Sequence, residues 1–304
     1  MTSTKLLAGV ELGGTKCVCV LGTGPRDIRA QERLATRDPA ATLAQIEAVL
    51  NGWTVSHGAF AALGLASFGP LELDAEAADY GRITTTTKPG WSHTRIAGRF
   101  ADRFGVPVGF NTDVNGAAIA EGRWGAAQGL ANFAYVTVGT GIGVGLVVNG
   151  RTIEGCGHTE MGHIRIVRQR GDSWPGACAF HGDCLEGLAS GPAIQARVGT
   201  SADSLPADHP VWGTVVHALA QLLHTMVLTT APERIIIGGG VMASREPLLA
   251  RIREELVRSL NGYVKADEIV KNLEAYVLPP ALGPLAGPLG ALVLAENALQ
   301  AGAR

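Results

Sequence analysis

Little in this chain of 304 residues points toward a nucleic acid, a membrane or an oxidising compartment. The formal net charge is −2, so no basic excess is present to meet a phosphate backbone, and nucleic acid is not expected as a partner. Five cysteines cannot all pair with one another, and the chain opens on no apolar secretory segment, so a reducing cytoplasm is the expected setting. The window read as most apolar, Phe133–Val148, is interrupted by Gly and Thr and is too short to cross a bilayer, so no membrane partner is expected. Two common phosphate-binding signatures are missing as well. There is no Walker A run. Gly139-Thr140-Gly141-Ile142-Gly143 has Gly-x-Gly-x-Gly spacing and leads into a strand-like run, where a dinucleotide fingerprint would need a helix. The first strand comes after about half a dozen residues, so a DNA-binding helix pair ahead of it is not expected.

Glycine, by contrast, is abundant, at 41 residues, and it clusters. Clustered glycine marks backbone that turns sharply or lies against something closely. Lys5–Leu12 is apolar, Gly13-Gly14-Thr15-Lys16 follows, and Cys17–Leu21 is apolar again: strand, turn, strand. Phe133–Val138, Gly139–Gly143 and Val144–Val148 repeat the device. The repeat, with a length that favours two cores, implies an internal duplication and two α/β domains. The division is expected at 1–113 for a smaller first domain and 114–286 for a larger second one, with a terminal helix over about 287–304 packing back on the first. A third cluster, Gly238-Gly239-Gly240, follows the strand Arg234–Ile237. Three Gly turns after three strands, with Thr15, Lys16 and Thr140 beside them, suit a phosphate and its sugar.

Other elements follow from local signals. Asp38-Pro39 caps and opens a helix. Phe60–Ala66 reads as a buried strand ending in Ser67-Phe68-Gly69-Pro70, and 83–91 as a loop. A helix is expected over about Thr94–Phe104. Val106–Phe110 is a strand that delivers Asn111-Thr112-Asp113-Val114-Asn115 at its carboxyl end, where ligands gather in open α/β sheets. Asp113 there is a candidate base, or the N-cap of the helix Val114–Trp124, or both. Helices are expected over Val211–Thr229, Pro247–Leu260 and Gly287–Leu299, and a last strand over Glu274–Leu278.

The segment 158–186 carries the densest chemistry. Cys178, His181 and Cys184 have Cys-x2-His-x2-Cys spacing, which brings soft ligands onto one tetrahedral ion. A structural zinc takes a fourth ligand, and His163 and His158 both lie just upstream. A disulfide or buried free thiols are the other readings of the cysteines. Glu160, His163 and Glu186 offer two carboxylates and an imidazole, a set suited to a polyhydroxylated ligand, while solvated surface acids are the plainer reading.

These motifs, Glu11-Leu-Gly-Gly-Thr-Lys16, Asn111-Thr-Asp-Val-Asn115, Gly139-Thr-Gly-Ile-Gly143, Glu160-Met-Gly-His163, Cys178-x2-His181-x2-Cys184-Leu-Glu186 and Gly238-Gly-Gly240, together resemble the ROK family of repressors, open reading frames and kinases over nearly the whole chain. The resemblance implies a duplicated actin-like (ribonuclease H-like) ATPase fold with an interdomain cleft, and transfer of the ATP γ-phosphoryl group to a hexose. It makes Asp113 the general base. It places Glu160, His163 and Glu186 on sugar hydroxyls, with Gly69 and Asn115 taken as sugar-side residues. It gives Glu11, Gly13, Gly14, Thr15, Lys16, Gly139, Thr140, Gly141 and Gly239 to ATP and Mg²⁺, and makes His163 the fourth zinc ligand beside Cys178, His181 and Cys184. Glu11 in place of Asp, Thr112 in place of Asn and His181 in place of a third Cys are shared with the bacterial fructokinase branch, which points to fructose. A homodimer is implied too. Glucose, mannose or an N-acetylhexosamine are the alternative acceptors, and a noncatalytic sugar-binding regulator is the alternative class.

Overall fold

The computed structural model describes residues 5–243 and 245–302. In chain order the elements begin with β1 (Leu7–Leu12), β2 (Lys16–Gly24), β3 (Asp27–Ala35), α1 (Pro39–His57), β4 (Leu63–Ser67), α2 (Ala97–Phe104), β5 (Val108–Thr112) and α3 (Asp113–Trp124). They continue with β6 (Phe133–Val138), β7 (Ile142–Val148), β8 (Arg151–Thr152), α4 (Leu185–Ala189), α5 (Gly191–Val198), α6 (Val211–Thr230) and β9 (Arg234–Gly238). Last come α7 (Glu246–Leu260), α8 (Ala266–Lys271), α9 (Leu273–Tyr276), β10 (Val277–Leu278) and α10 (Ala286–Ala301).

The chain forms two compact units, 1–128 with 152–158 and 284–304, and 129–151 with 159–283. Each is organised on a five-stranded sheet, ordered β3-β2-β1-β4-β5 in the first and β10-β9-β6-β7-β8 in the second. The two orders match strand for strand, read in opposite directions. β1 pairs antiparallel with β2 and parallel with β4, and β6 pairs antiparallel with β7 and parallel with β9. This is the duplication that the repeated hairpins imply. α3 falls in the first unit, so the division lies at 128/129 where the sequence suggested 113/114.

In the first unit, Leu12, Cys17, Cys19 and Leu21 face one way into a core with Leu43, Ile46 and Leu50 of α1. Burial pushes the Cys17 thiol up to about 11 and Cys19 higher still, so both are inert packing groups. α1 starts as its Asp38-Pro39 pair dictates, with the Ala41 N–H donating to Asp38 Oδ1 at 2.9 Å. The opposite sheet face carries α10, and glycine makes the contact possible. A Cβ on Gly64 of β4 or Gly109 of β5 would collide with carbonyls of Ala291 and Leu294 on that helix. Glycine therefore lets a helix backbone lie directly on strand backbone, a close approach made to protein rather than to a ligand.

In the second unit, α6 fills the core with Leu219, Leu222, Leu223 and Met226 against Val136, Ile235 and Ile237. α6 is the one described helix long and apolar enough to span a bilayer, and it is mostly buried in this core. Three local expectations need correction. α2 begins at Ala97, three residues later than expected, and Ile96 before it makes no side-chain cap. Residues 273–276 form a helical turn, leaving β10 with two residues. Asp113 is the first residue of α3, and Thr112 is its cap, accepting from the Asn115 N–H at 3.1 Å.

Candidate active site

In the first unit the candidate residues gather at the strand ends. The Gly13–Lys16 turn closes because Leu12 pairs with Cys17 and the Gly13 N–H donates to Lys16 O at 3.0 Å. Its other carbonyls are also engaged. Thr36 Oγ1 donates to Gly13 O at 2.7 Å, the Thr36 N–H to Thr15 O at 2.9 Å, and the Lys88 ammonium to Gly14 O. The Gly14 and Thr15 N–H groups have no protein acceptor among the described residues. Bare amides with engaged carbonyls form a backbone concavity suited to an anion. Thr15 and Lys16 are exposed. Glu11 lies against the start of α10, beside Gly287, and burial raises its carboxyl pKa while Lys16 and Arg33 pull it down. A helix N-terminus favours a carboxylate there.

Asp113 follows β5 at the first turn of α3, and its Oδ1 accepts from the Val114 N–H at 2.8 Å. The carboxyl group thus stands at the N-terminal end of α3. A polar network that sequence reading did not foresee fixes this corner. Asn111 Oδ1 accepts from the Thr112 N–H and from Asn115 Nδ2, both at 2.8 Å, and Asn111 Nδ2 donates to Glu154 Oε1 at 3.1 Å. Asn115, expected on the sugar side, is only 1% exposed and spends its amide on Asn111. Its pairing with buried Asn111 carries no sequence signal, since an Asn beside Asp113 reads equally as ligand or as support. Gly69 follows β4, beside the His158 ring, whose Nε2 accepts from the Leu71 N–H at 2.9 Å.

The second unit holds the metal candidates. His163, Cys178, His181 and Cys184 present ligand atoms that all lie within 4.8 Å of one another. His158 is not among them. Cys178 Sγ lies 3.6 Å from His163 Nδ1 and 3.7 Å from His181 Nδ1, and Cys184 Sγ lies 3.5 Å from His163 Nδ1. Ordinary zinc–sulfur and zinc–nitrogen lengths at a tetrahedral angle give a sulfur-to-nitrogen separation of about 3.6 Å. The donor set therefore fits a tetrahedral, thiolate-preferring cation with no position left open. Burial pushes the Cys184 thiol up to about 11 in the metal-free chain, so cation binding must displace its proton. Arg168 and Arg165 both pair with Asp183, and Arg168 and Arg197 with Asp172, which ties the loop down from outside.

With Nδ1 of His163 directed toward the two cysteine sulfurs, its Nε2 faces Glu186 Oε1 at 4.0 Å. Glu186 Oε2 accepts from the Ile142 N–H at 3.0 Å, in the second Gly turn. Glu186 thus reaches both the metal-loop histidine and the Gly turn, whereas sequence reading gave it to the sugar alone. Burial raises the carboxyl pKa of Glu160, with His163 lowering it and Glu186 adding to the rise. The turn itself is closed by Gly139 N–H to Gly141 O at 2.9 Å, and Gly139 O accepts from the Gly191 N–H at 2.8 Å. The Thr140 and Gly141 N–H groups have no protein acceptor among the described residues. Gly239, at φ +94°, is pressed against the Val138 backbone. Its lack of a side chain is required by this internal contact. Gly240, next to it, faces open space.

A family model for the ROK family matches residues 7–298. The chain belongs to the ROK family. It is 38% identical to a fructokinase of Pediococcus pentosaceus over 97% of this chain and 99% of that one, and 39% identical to a fructokinase of Zymomonas mobilis over 96% of each. Identity to a glucokinase of Halalkalibacterium halodurans is 28%, over 83% of this chain and 85% of that one. Among solved structures, a ROK hexokinase from Thermus thermophilus superposes with a TM-score of 0.79 at 27% identity, covering 98% of this chain and all of that one. A ROK glucokinase from Streptomyces griseus, in complex with glucose and AMPPNP, gives 0.76 at 25% identity over 96% and 99%. The fold of this ROK protein is the actin-like ATPase fold, duplicated sheet included.

Proposed function

We propose that this ROK protein is an ATP-dependent fructokinase, forming fructose 6-phosphate and ADP. The observation that carries the reading is the step in identity, from 38% and 39% with two fructokinases to 28% with a glucokinase, at near-complete coverage of the fructokinases. In this reading the sugar 6-hydroxyl oxygen attacks the γ-phosphorus, the bond to the β,γ-bridging oxygen breaks, and the hydroxyl proton passes to Asp113. Phosphoryl transfer needs positioning and charge neutralisation more than covalent help, so backbone amides are apt partners. The Gly13–Lys16 and Gly139–Gly141 turns serve phosphates, and Gly240, with open space before it, serves the nucleotide beside Gly239. Glu160, His163 and Glu186 hold sugar hydroxyls, and Gly69 stands on the same side. Asn115 supports Asp113 through Asn111. Mg²⁺ brought with ATP would neutralise charge on the phosphates, and Glu11 is the residue of this chain that would face it. His163, Cys178, His181 and Cys184 would hold a zinc ion that, with no open position, would fix the loop carrying Glu160 and Glu186 and supply no chemistry to the reaction. A cytoplasmic homodimer completes the reading, and light scattering at twice the chain mass would support it.

The test is product identity. Incubation with fructose, ATP and Mg²⁺ should yield ADP and a phosphomonoester that ³¹P and ¹³C NMR place on C6. ATP hydrolysis without sugar phosphorylation would reject the reading.

A further inference from the structure

We infer that Lys88 is a phosphate-binding residue, and that it supplies the positive charge at the Gly13–Lys16 turn. The inference rests on the reading of that turn as a phosphate site. A P-loop pairs its amides with a lysine from the same loop. Here the local lysine, Lys16, is exposed at the start of β2, while the ammonium that touches the turn comes from residue 88, on Gly14 O.

The local sequence shows why Lys88 is held so well. Lys88-Pro89-Gly90-Trp91 has Pro and Gly at the central positions of a type II turn. Gly90 has φ +79°, and the Trp91 N–H donates back to Lys88 O at 3.2 Å. Trp91 is fully buried, packs edge-on to Phe68 with centroids 5.2 Å apart, and donates from Nε1 to Arg37 O at 2.9 Å. A rigid turn anchored by a buried indole thus fixes the backbone at Lys88, and the contact with Gly14 O holds the far end of its side chain. The ammonium has three donors, and its one protein acceptor is a neutral carbonyl. No carboxylate pairs with it among the described residues. It sits on the same turn as the free Gly14 and Thr15 amides. An anion at those amides would meet a pre-placed, uncompensated positive charge. The ligand class is a phosphate group of the nucleotide. The plainer alternative is a lysine that only staples Gly14 O.

Lys88→Gln separates the two, because an amide still donates to a carbonyl but carries no charge. Titration calorimetry on the full-length protein with Mg²⁺ would compare ADP, a non-hydrolysable ATP analogue and adenosine for wild type, Lys88→Gln, Lys88→Arg and Gly14→Val. The expected result is at least a tenfold loss for the triphosphate analogue in Lys88→Gln, a smaller loss for ADP, none for adenosine, and partial recovery in Lys88→Arg. Steady-state kcat should fall with the triphosphate affinity. Unchanged affinities in Lys88→Gln, or equal losses for all three ligands, would overturn the assignment. Gly14→Val, which covers the turn with a side chain, tests the underlying reading. If it leaves nucleotide affinity intact, the turn is no phosphate site and both claims fail. If it weakens affinity while Lys88→Gln does not, only the assignment of Lys88 fails.

Discussion

The Gly13–Lys16 and Gly139–Gly141 turns are duplicates held in opposite ways. Each leaves two consecutive amides without a protein acceptor, Gly14 and Thr15 in one, Thr140 and Gly141 in the other. The first turn is one residue longer, since Leu12 pairs with Cys17 while Val138 pairs with Ile142. A lysine and a threonine hold the first by its carbonyls. A carboxylate holds the second by an amide, and that carboxylate stands beside the metal-loop histidine. The two copies thus share a pair of free amides and differ in what supports them. The first unit keeps a cation on its turn and holds Asp113 at the end of another strand, and the second ties its turn to the Cys/His loop through Glu186. Loss of Asp113 in the first should appear in kcat, and lesions in the second chiefly in binding.

Asp113→Asn should give the largest effect. It should lower kcat about a hundredfold or more, the usual scale for loss of a general base, with KM values little changed. Near-normal turnover in steady-state assays would remove the first unit's claim to the chemistry. Chelation, or Cys178→Ser or Cys184→Ser, should come next. Action through His163 alone would weaken sugar binding and spare ATP. Because Glu186 also holds Ile142, KM should rise for both substrates, about tenfold or more, the scale for disturbing a ligand's support. Metal analysis by mass spectrometry should find one zinc per chain in the active protein. His158→Ala should keep its zinc.

Glu186 sharpens the comparison further. Glu186→Ala leaves the Ile142 N–H without its partner, an effect of about 1–3 kcal/mol, so nucleotide and sugar affinity should both fall. Glu186→Gln retains an acceptor for that amide and should weaken the sugar side only, as paired titrations with AMPPNP and fructose would reveal. Gly240→Val should raise KM for ATP a few-fold. Gly239 is no probe of the ligand, because any side chain there meets Val138 first. The smallest functional effect belongs to Asp172→Asn. Burial alone would raise that carboxyl, but Arg197, the Trp174 N–H and Arg168 hold it down at about 2. A depressed carboxyl stabilises the fold above its unfolded value of about 4, and that contribution is lost as pH falls toward 2. Asp172→Asn should lower Tm by about 2–5 °C at neutral pH and leave kcat alone, as a thermal melt and a rate assay would establish.

What sequence could convey was local. Asp38-Pro39, the strand–turn–strand hairpins and the short Cys-x2-His-x2-Cys spacing each place their own residues, and each appears where expected. Non-local demands stayed hidden. Gly64 and Gly109 answer to a helix near the far end of the chain, so their reason is invisible in their neighbours. Lys88-Pro89-Gly90 could be read as a turn, but its target lies 74 residues away. Thr112 and Asp113 are both good caps, and only the backbone conformation at Thr112 decides between them. Asn115 has its amide on Asn111, a partner four residues back that the motif alone does not reveal.

The central claim is a fructose-phosphorylating kinase, and its most direct test is kcat/KM for ADP release with fructose, glucose, mannose and N-acetylmannosamine under identical Mg²⁺-ATP. The account predicts that fructose leads the series and that omitting Mg²⁺ abolishes turnover. A clear lead for glucose, or release of ADP that ignores the sugar added, would contradict it.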